Sequence, residues 1–552
     1  MNLTIHMHGD RIALSGQTYV VREAIKAIPG HRWDPDGRLW TFPCTMDSYR
    51  LVHAMFPFAK LDGSMHVLAE QARKLEDAML AKHDVDAPPV PVEKSNSWLH
   101  QRQAFWFAYH RLQAKRGAML ALDMGCGKSK VAIDLINNLD CRHVLITCPT
   151  SVVNVWPEQF EVHSHITHPI LACNNSRSIE RRTREAKDFL WEHGGGVVVI
   201  NHEAVWRKPT DVDMFGGFAL GHNWDMVIVD ECHRAKSPGG KLSRYLYRLA
   251  QSTRYRLGLT GTPAPHSILD IYAQARFLDD SVFGTNYTSH RAEFAIVSSF
   301  GTFNKVVGFK NTDKFSEKFH ELAIQMKAED TLDLPDKVHM NRYCELSAPE
   351  RRAYDDMKKE MIAEVKGGTI TAANALVRLL RLAQIVQGTV TNDMGTPVVV
   401  GESKRELLRD VLEDIEEPVV VFCRFTCDID TAFYVAGDLG RPCFQLSGER
   451  KQLDEWKAAC AQGQPAIIAV QIQAGGVGIS MVQARYCIYL SKGFNLGEYE
   501  QSLARVHRPG QSEKVTYIHL VAKGTIDEVI NRALAQRKDT VEMILTELGG
   551  AE

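Results

Sequence analysis

Seven consecutive residues, Asp123-Met124-Gly125-Cys126-Gly127-Lys128-Ser129, set two glycines, a lysine and a hydroxyl between two apolar segments. The segment before them, Ala118-Met119-Leu120-Ala121-Leu122, reads as a buried strand, and Val131-Ala132-Ile133 after them opens a helix. A glycine loop between strand and helix lets backbone N–H groups face a polyphosphate, and the helix N-terminus adds favourable partial charge. There Gly125, Cys126 and Gly127 form a cradle, Lys128 reaches the β and γ phosphates, and the Ser129 hydroxyl is placed to ligate Mg²⁺. The strict spacing G-x-x-x-x-G-K-S fails, because Leu122 holds the first glycine position. About a hundred residues later, the apolar run Met226-Val227-Ile228-Val229 ends in Asp230-Glu231-Cys232-His233. Adjacent carboxylates at the end of a buried strand are costly unless they act. Asp230 can hold the metal of a bound nucleotide, and Glu231 can orient and deprotonate an attacking water. The plain alternative is a solvated strand end entering a helix, where acids are favoured anyway.

Three further segments carry chemistry of the same kind. Leu259-Thr260-Gly261-Thr262-Pro263 ends a strand with two hydroxyls. Gln473-Ala474-Gly475-Gly476-Val477-Gly478-Ile479 is a second glycine-rich strand end. Arg505 and Arg508 stand three apart, which on a helix gives one face, and a guanidinium reaching a γ phosphate supplies charge to the transition state. By themselves, two such arginines are equally a solvated helix face.

These segments need strands to hold them. From residue 97 to 280 short apolar runs alternate with amphipathic stretches: 119–122, 144–148, 197–201, 226–230 and 256–260. The pattern predicts βαβ units and a parallel sheet covered by helices, with ligands at the carboxyl ends of its strands. Alternation resumes at 419–423, 466–470, 487–490 and 515–521, so a second sheet of similar size follows. Residues 281–400 read as a helical inter-lobe region, with helices expected over 348–365 and 370–386, and 523–552 as a closing amphipathic helix. Residues 1–84 form a small α+β module with a tryptophan-bearing hairpin near Trp33 and Trp40. Residues 85–96, with Pro88, Pro89 and Pro91, read as a linker.

Composition sets bounds. The 552 residues suffice for three or four domains, and the apolar (45%) and charged (24%) fractions are those of an ordinary globular protein. A net charge of −2 gives no global basic signal, so any polyanion surface must be a local stripe. Several of the twelve cysteines, among them Cys148, Cys423 and Cys487, sit in expected core strands, and no C-x-x-C pair occurs. A reducing compartment without structural metal is expected. No signal peptide or apolar stretch near 18 residues is visible, so no membrane association is expected.

In this order the segments resemble the Swi/Snf-like DNA-dependent ATPases of helicase superfamily two. The likeness covers about residues 97–545. It rests on the glycine loop, on Thr147-Cys148-Pro149-Thr150 followed by Trp156 and Phe160, on Asp230 to His233, on Leu259 to Pro263, on Leu334-Pro335-Asp336-Lys337, on Gly475 to Gly478, and on Arg505 to Gln511. It departs at Ile324-Gln325-Met326-Lys327, where relatives carry R-R-x-K. The resemblance implies two RecA-like lobes closing on ATP and Mg²⁺. Lys128, Asp230, Glu231, Arg505 and Arg508 would be catalytic, Arg508 being the favoured finger, and Ser129 and Asp230 would hold the metal. Gln101 would recognise adenine in preference to Gln103, with Gly478 also at the nucleotide. Thr260, Thr262 and His233 would couple nucleotide state to lobe position, and Pro149, Thr150, Gly475 and Gly476 would touch DNA.

The N-terminal module resembles the HARP domain of annealing helicases through Ile28-Pro29-Gly30, Arg32-Trp33-Asp34 and Arg38 to Pro43. In relatives that module directs the motor to branched DNA. The alternative is that its aromatics are simply a small core. The whole implies a monomeric translocase on duplex or forked DNA in the cytoplasm of a bacterial cell or phage-infected host. A strand-separating DNA or RNA helicase and a non-catalytic DNA-junction binding protein stand as alternatives.

Overall fold

The computed structural model of the chain describes residues 2–165, 168–174, 176–265, 267–300, 303–366, 372–391, 397–473 and 479–536. It is an α/β fold of two parallel-sheet lobes, both RecA-like, preceded by a small mixed sheet. The first lobe holds seven strands in the order Ala323–Met326, Gly117–Leu122, Tyr255–Leu259, Met226–Asp230, His143–Cys148, Gly196–Asn201 and Ile170–Ala172. All its pairings are parallel. Every residue of Gly117–Leu122 and Gly196–Asn201 is buried, because helices cover both faces and leave no solvated side for polar alternation. The second lobe holds six parallel strands, Lys337–Cys344, Val515–Ala522, Tyr486–Tyr489, Val419–Cys423, Ile467–Gln471 and Cys443–Leu446.

The segment 281–400 is more than a helical insertion. It gives Ala323–Met326 to the first sheet and Lys337–Cys344 to the second, around an antiparallel hairpin of Ala295–Phe300 with Phe303–Phe309. The first lobe therefore runs past the expected boundary at 280. Sequence periodicity could not find these strands, since one has four residues and the other is an edge strand with mostly exposed side chains. The closing helix is described over Ile526–Ala535; the remainder of the expected 523–552 helix falls outside the described residues.

The N-terminal module is a five-stranded sheet on which Trp33 pairs with Trp40 across the hairpin. Phe42 is fully buried in its core, whereas Trp33 is 47% exposed, so the aromatics divide between packing and surface. Its last helix, His66–Ala81, lies along Leu99–Lys115 of the first lobe. Leu75 joins Ala114 in one apolar cluster, and Ala78 and Ala81 join Ala104 and Phe107 in another. The Lys82 ammonium donates to the carbonyl of Ala323 at 2.8 Å and to that of His320. The expected linker has no regular structure, yet it is not a free tether. Ala87 and Val90 are buried, Asn138 clamps both backbone groups of Val92, and the Trp106 indole donates to Pro88 O.

Candidate active site between the lobes

Gly117–Leu122 delivers the glycine loop at its carboxyl end, and the helix Lys128–Asn138 begins at its last residues. Gly125 and Gly127 sit at φ +85° and +86°, a left-handed backbone that a side chain would strain. A Cβ on Gly127 would lie 2.3 Å from Gln101 Nε2, so the loop folds directly beneath that glutamine. Gln101 accepts from Trp98 N through Oε1 and donates to Cys126 O through Nε2, and His100 Nε2 lies 3.0 Å from the same carbonyl. Gln103 instead donates to Asp84 O, at the end of the N-terminal module. The Lys128 ammonium is held by its own loop, donating to Leu122 O at 2.8 Å and Asp123 O at 3.3 Å. Asp123 ties the loop to the inter-lobe segment, since its backbone N–H donates to Met326 O and its carboxylate accepts from Ala328 N.

Asp230 closes its strand almost fully buried, and Glu231 follows at φ +51°, 1% exposed. A carboxylate residue held in the left-handed region is uncommon and is retained where the surroundings over-determine it. Burial, then the adjacent Glu231, pushes the Asp230 carboxyl above the usual carboxylate range. Burial would also raise Glu231, but His233, Lys128 and Arg234 together hold it below the usual carboxylate range. Among the described residues neither Glu231 oxygen accepts an aligned hydrogen bond, although His233 Nδ1 lies 3.2 Å from Oε2. That nitrogen also lies 3.0 Å from Thr260 Oγ1, which accepts from Thr262 N. Glu231, His233, Thr260 and Thr262 thus form one continuous run of contacts from the acidic pair to the neighbouring strand end.

The second lobe brings its arginines to the same place. One cavity of about 290 Å³ is lined by Gln101, Lys128, Ser129, Asp230, Arg505 and Arg508. The Cβ position of Gly125 is 3.7 Å from Arg508 Cβ and 3.2 Å from Pro509 Cδ, so the Arg508-Pro509 segment abuts the glycine loop. Arg505 donates to Ile472 O and Arg508 to Ile479 O at 3.0 Å. Burial lowers the Arg505 pKa to about 10 and lowers that of Arg508 as well. The two do not share a helix face, as the spacing had suggested: the helix Leu496–Leu503 ends before them and they sit in the turns that follow. Pro509 disfavours helix at the residue before it, and Gly510 at φ +99° turns the chain.

Thr150 is exposed just beyond Cys148 on the rim of the first sheet, with Pro149 buried beside it. Gly475, Gly476 and Gly478 lie outside the described residues.

A family model described as "SNF2-related domain" matches residues 100–390, and one described as "Helicase conserved C-terminal domain" matches residues 403–510. The chain belongs to the SNF2-related family. This SNF2-related chain is 24% identical over 467 residues to "Putative protein p41" of Acyrthosiphon pisum secondary endosymbiont phage 1, covering 79% of the chain and 95% of that protein. It is 23% identical to "Chromodomain-helicase-DNA-binding protein 1-like" of Mus musculus over 78% of the chain and 48% of that protein. The chain thus spans about half the length of the mouse relative. It also matches the structure "Sulfolobus solfataricus SWI2/SNF2 ATPase core in complex with dsDNA" at 21% identity and a TM-score of 0.38, covering 83% of the chain and 94% of that structure. The SNF2-related chain is an enzyme of the DNA-dependent ATPase and helicase type.

Two contributors escaped sequence reasoning. Gln274, 1% exposed, accepts from the Cys232 thiol at 3.2 Å and donates to Pro263 O and Asp270 O, joining the acidic segment to the Thr260–Pro263 turn. Thr331, from the inter-lobe segment, meets the Cys126 thiol at 3.6 Å. Neither has a local signature, because each acts across a long sequence separation.

The site suits a nucleotide and its metal on its own terms. The left-handed glycines fold the loop beneath Gln101, Asp230 lines the cavity with Lys128 and Ser129, and among the described residues both oxygens of the buried Glu231 lack a hydrogen-bond partner. Among the described residues no helix is long and apolar enough to cross a membrane.

Proposed function

We propose that this SNF2-related protein is a DNA-stimulated ATPase that translocates on duplex DNA and remodels or anneals branched or forked DNA in replication, recombination or repair. The observation that carries the reading is the lining of a single cavity by Lys128, Ser129 and Asp230 of one lobe and Arg505 and Arg508 of the other. Hydrolysis that needs groups from two lobes depends on how the lobes sit, and a polynucleotide lying across both would govern that.

The roles follow from position. Backbone N–H groups of Gly125 to Lys128 face the phosphates, and Lys128 exchanges the Leu122 and Asp123 carbonyls for phosphate oxygens. Ser129 and Asp230 would hold Mg²⁺, which when bound neutralises charge on the phosphate oxygens. Glu231, the more acidic of the two buried carboxyls, is the base that takes the proton of the attacking water. Arg508 meets the developing charge from the opposite lobe, with Arg505 behind it. Gln101 gains adenine by giving up its bonds to Trp98 and Cys126, so base recognition and loop release are one event. His233, Thr260 and Thr262 pass the state of Glu231 to the neighbouring strand end. Pro149, Thr150, Gly475 and Gly476 would contact DNA phosphates.

The N-terminal module would direct the motor to junctions, through exposed residues such as Trp33. Both lobes of the site come from one chain, so a monomer suffices. A bacterial or phage-infected cytoplasm is in keeping with the phage relative matched over 95% of its length.

The test is ATP hydrolysis by the full chain and by Lys128→Ala on single-stranded, duplex and forked DNA. Duplex should stimulate the wild type and forks more so, with Lys128→Ala inactive throughout. Equal rates with and without DNA would refute the motor, and forks no better than plain duplex would refute the junction role. Displacement of a strand from a tailed duplex would move the assignment to an unwinding helicase.

A further inference from the structure

The first lobe carries a second feature that the hydrolysis site does not use. A groove of about 760 Å³ opens where the segment after Gly196–Asn201 meets the helix Lys241–Ala250. Its walls present Arg207 and Lys208 from the first element and Lys241, Arg244 and Arg248 from the second, all exposed, around the half-buried Trp206. Glu180 is its one carboxylate. Among the described residues none of the five cations forms an ion pair. A chain of net charge −2 therefore gathers five positive charges against a single negative one in one groove.

Like charges set close together without partners repel, and such a cluster is expected where a polyanion binds. Lys241, Arg244 and Arg248 follow one another at helical spacings of three and four and so share a face. They span about 10 Å along the helix axis. Trp206 is occupied as a platform for cations, with Lys241 Nζ 5.1 Å and Arg207 Cζ 5.9 Å from its ring. Trp206 already holds cations over its ring and is the one tryptophan of the lining, so the groove fits a charged backbone better than a stack of unpaired bases. Its place agrees with this. Asn201 pairs in register with Cys148, so the groove begins on the same strand-end rim as Thr150, one strand nearer the sheet edge. It shares no lining residue with the inter-lobe cavity.

We propose that the groove of Arg207, Lys208, Lys241, Arg244 and Arg248 binds the phosphate backbone of duplex DNA, contributing affinity and taking no part in hydrolysis. The inference rests on the DNA-translocase reading and names a surface for its substrate. Binding of a labelled 30-base-pair duplex would be measured by fluorescence anisotropy over a series of KCl concentrations, for the full-length wild type, for Arg244→Glu/Arg248→Glu, and for Arg207→Glu/Lys208→Glu on the other wall. All four positions are solvent-exposed, so both variants should fold.

Each variant should bind at least about tenfold more weakly at 0.15 M salt, with the slope of log K against log salt shallower by about 2. ATP hydrolysis without DNA, and at saturating DNA, should match the wild type. Affinities within twofold of a DNA-binding wild type would overturn the groove assignment and leave the motor standing. Groove-dependent duplex binding by a wild type whose hydrolysis ignores DNA would do the reverse. Displacement of the duplex by polyglutamate as effectively as by unlabelled duplex, at equal charge, would assign the groove to an acidic protein instead.

Discussion

Replacing Arg508 by alanine puts the two-lobe chemistry to its sharpest trial. The side chain lies in the cavity with Lys128 and Asp230, and its Cβ is 3.7 Å from the Cβ position of Gly125, so little lobe movement is needed for it to act. A guanidinium finger contributes about 10³–10⁵ in rate in other phosphoryl transfers, or about 4–7 kcal/mol. Part of that is offset here. Arg508 donates to Ile479 O at 3.0 Å, and giving up that bond costs about 1 kcal/mol, a factor of about five. The expected loss in kcat is therefore about 10²–10⁴. KM should change by less than about threefold, because the contact strengthens only as charge develops in the transition state. Arg508→Lys should fall between, keeping the charge without the fork. The assay is steady-state ATP hydrolysis at saturating duplex, with nucleotide affinity measured separately by a fluorescent analogue. A loss below tenfold, or a loss lying wholly in KM, would refute the finger.

Gly127→Ala puts a Cβ 2.3 Å from Gln101 Nε2 at φ +86°, and calorimetry should find ATP affinity lowered at least about tenfold while the fold persists. Gln274→Leu leaves the buried Pro263 carbonyl and the half-buried Asp270 carbonyl without their amide donor, which should cost about 1–3 kcal/mol in denaturant unfolding and weaken DNA stimulation of hydrolysis. His290, 1% exposed and ringed by Tyr272, Phe283 and Phe294, has no hydrogen-bond partner among the described residues and is pushed to about 4 by burial. Its folded pKa lies below the unfolded value near 6.5, so the unfolded chain binds more protons between pH 6.5 and 4 and stability is lost as pH falls through that window. His290→Phe should raise the melting temperature and flatten this acid limb; an unchanged limb would refute the assignment.

The parallel sheets were legible because their central strands are uninterrupted apolar runs such as Val197-Val198-Val199-Ile200, which periodicity finds without context. Three-residue Ile170–Ala172 and partly exposed Cys443–Leu446 gave no such run, and they form only because a neighbouring strand already offers its edge. The glycine loop and the acidic pair were legible for a different reason: their geometry is local, set by adjacent residues of the right type. Gln274 and Thr331 had no such advantage. A buried glutamine in the middle of a helix looks like any other until folding sets Cys232 on one side of it and Pro263 on the other.

The Leu99–Lys115 helix is engaged at both ends. Its first turn holds the glycine loop through Gln101 and His100, which share the Cys126 carbonyl. Its last turns carry the N-terminal module, with Ala114 in that module's own core and Phe107 beneath the Lys82 ammonium at 4.5 Å. A helix of 17 residues is a rod of about 26 Å that bends little over that length. The module cannot tilt on the first lobe without either breaking the apolar seam along His66–Ala81 or carrying the rod with it. Breaking the seam exposes side chains such as Leu75, at about 1.5–3 kcal/mol for each large one. Moving the rod would break the bonds of the buried Arg111 to Glu321 O, Gly117 O and Asp279 and pull Phe105, Ala108 and Leu112 out of the first lobe's core. Both paths are stiff, so the module, the rod and the glycine loop beneath Gln101 behave as one packed unit, and a load on the module is carried into the body of the first lobe.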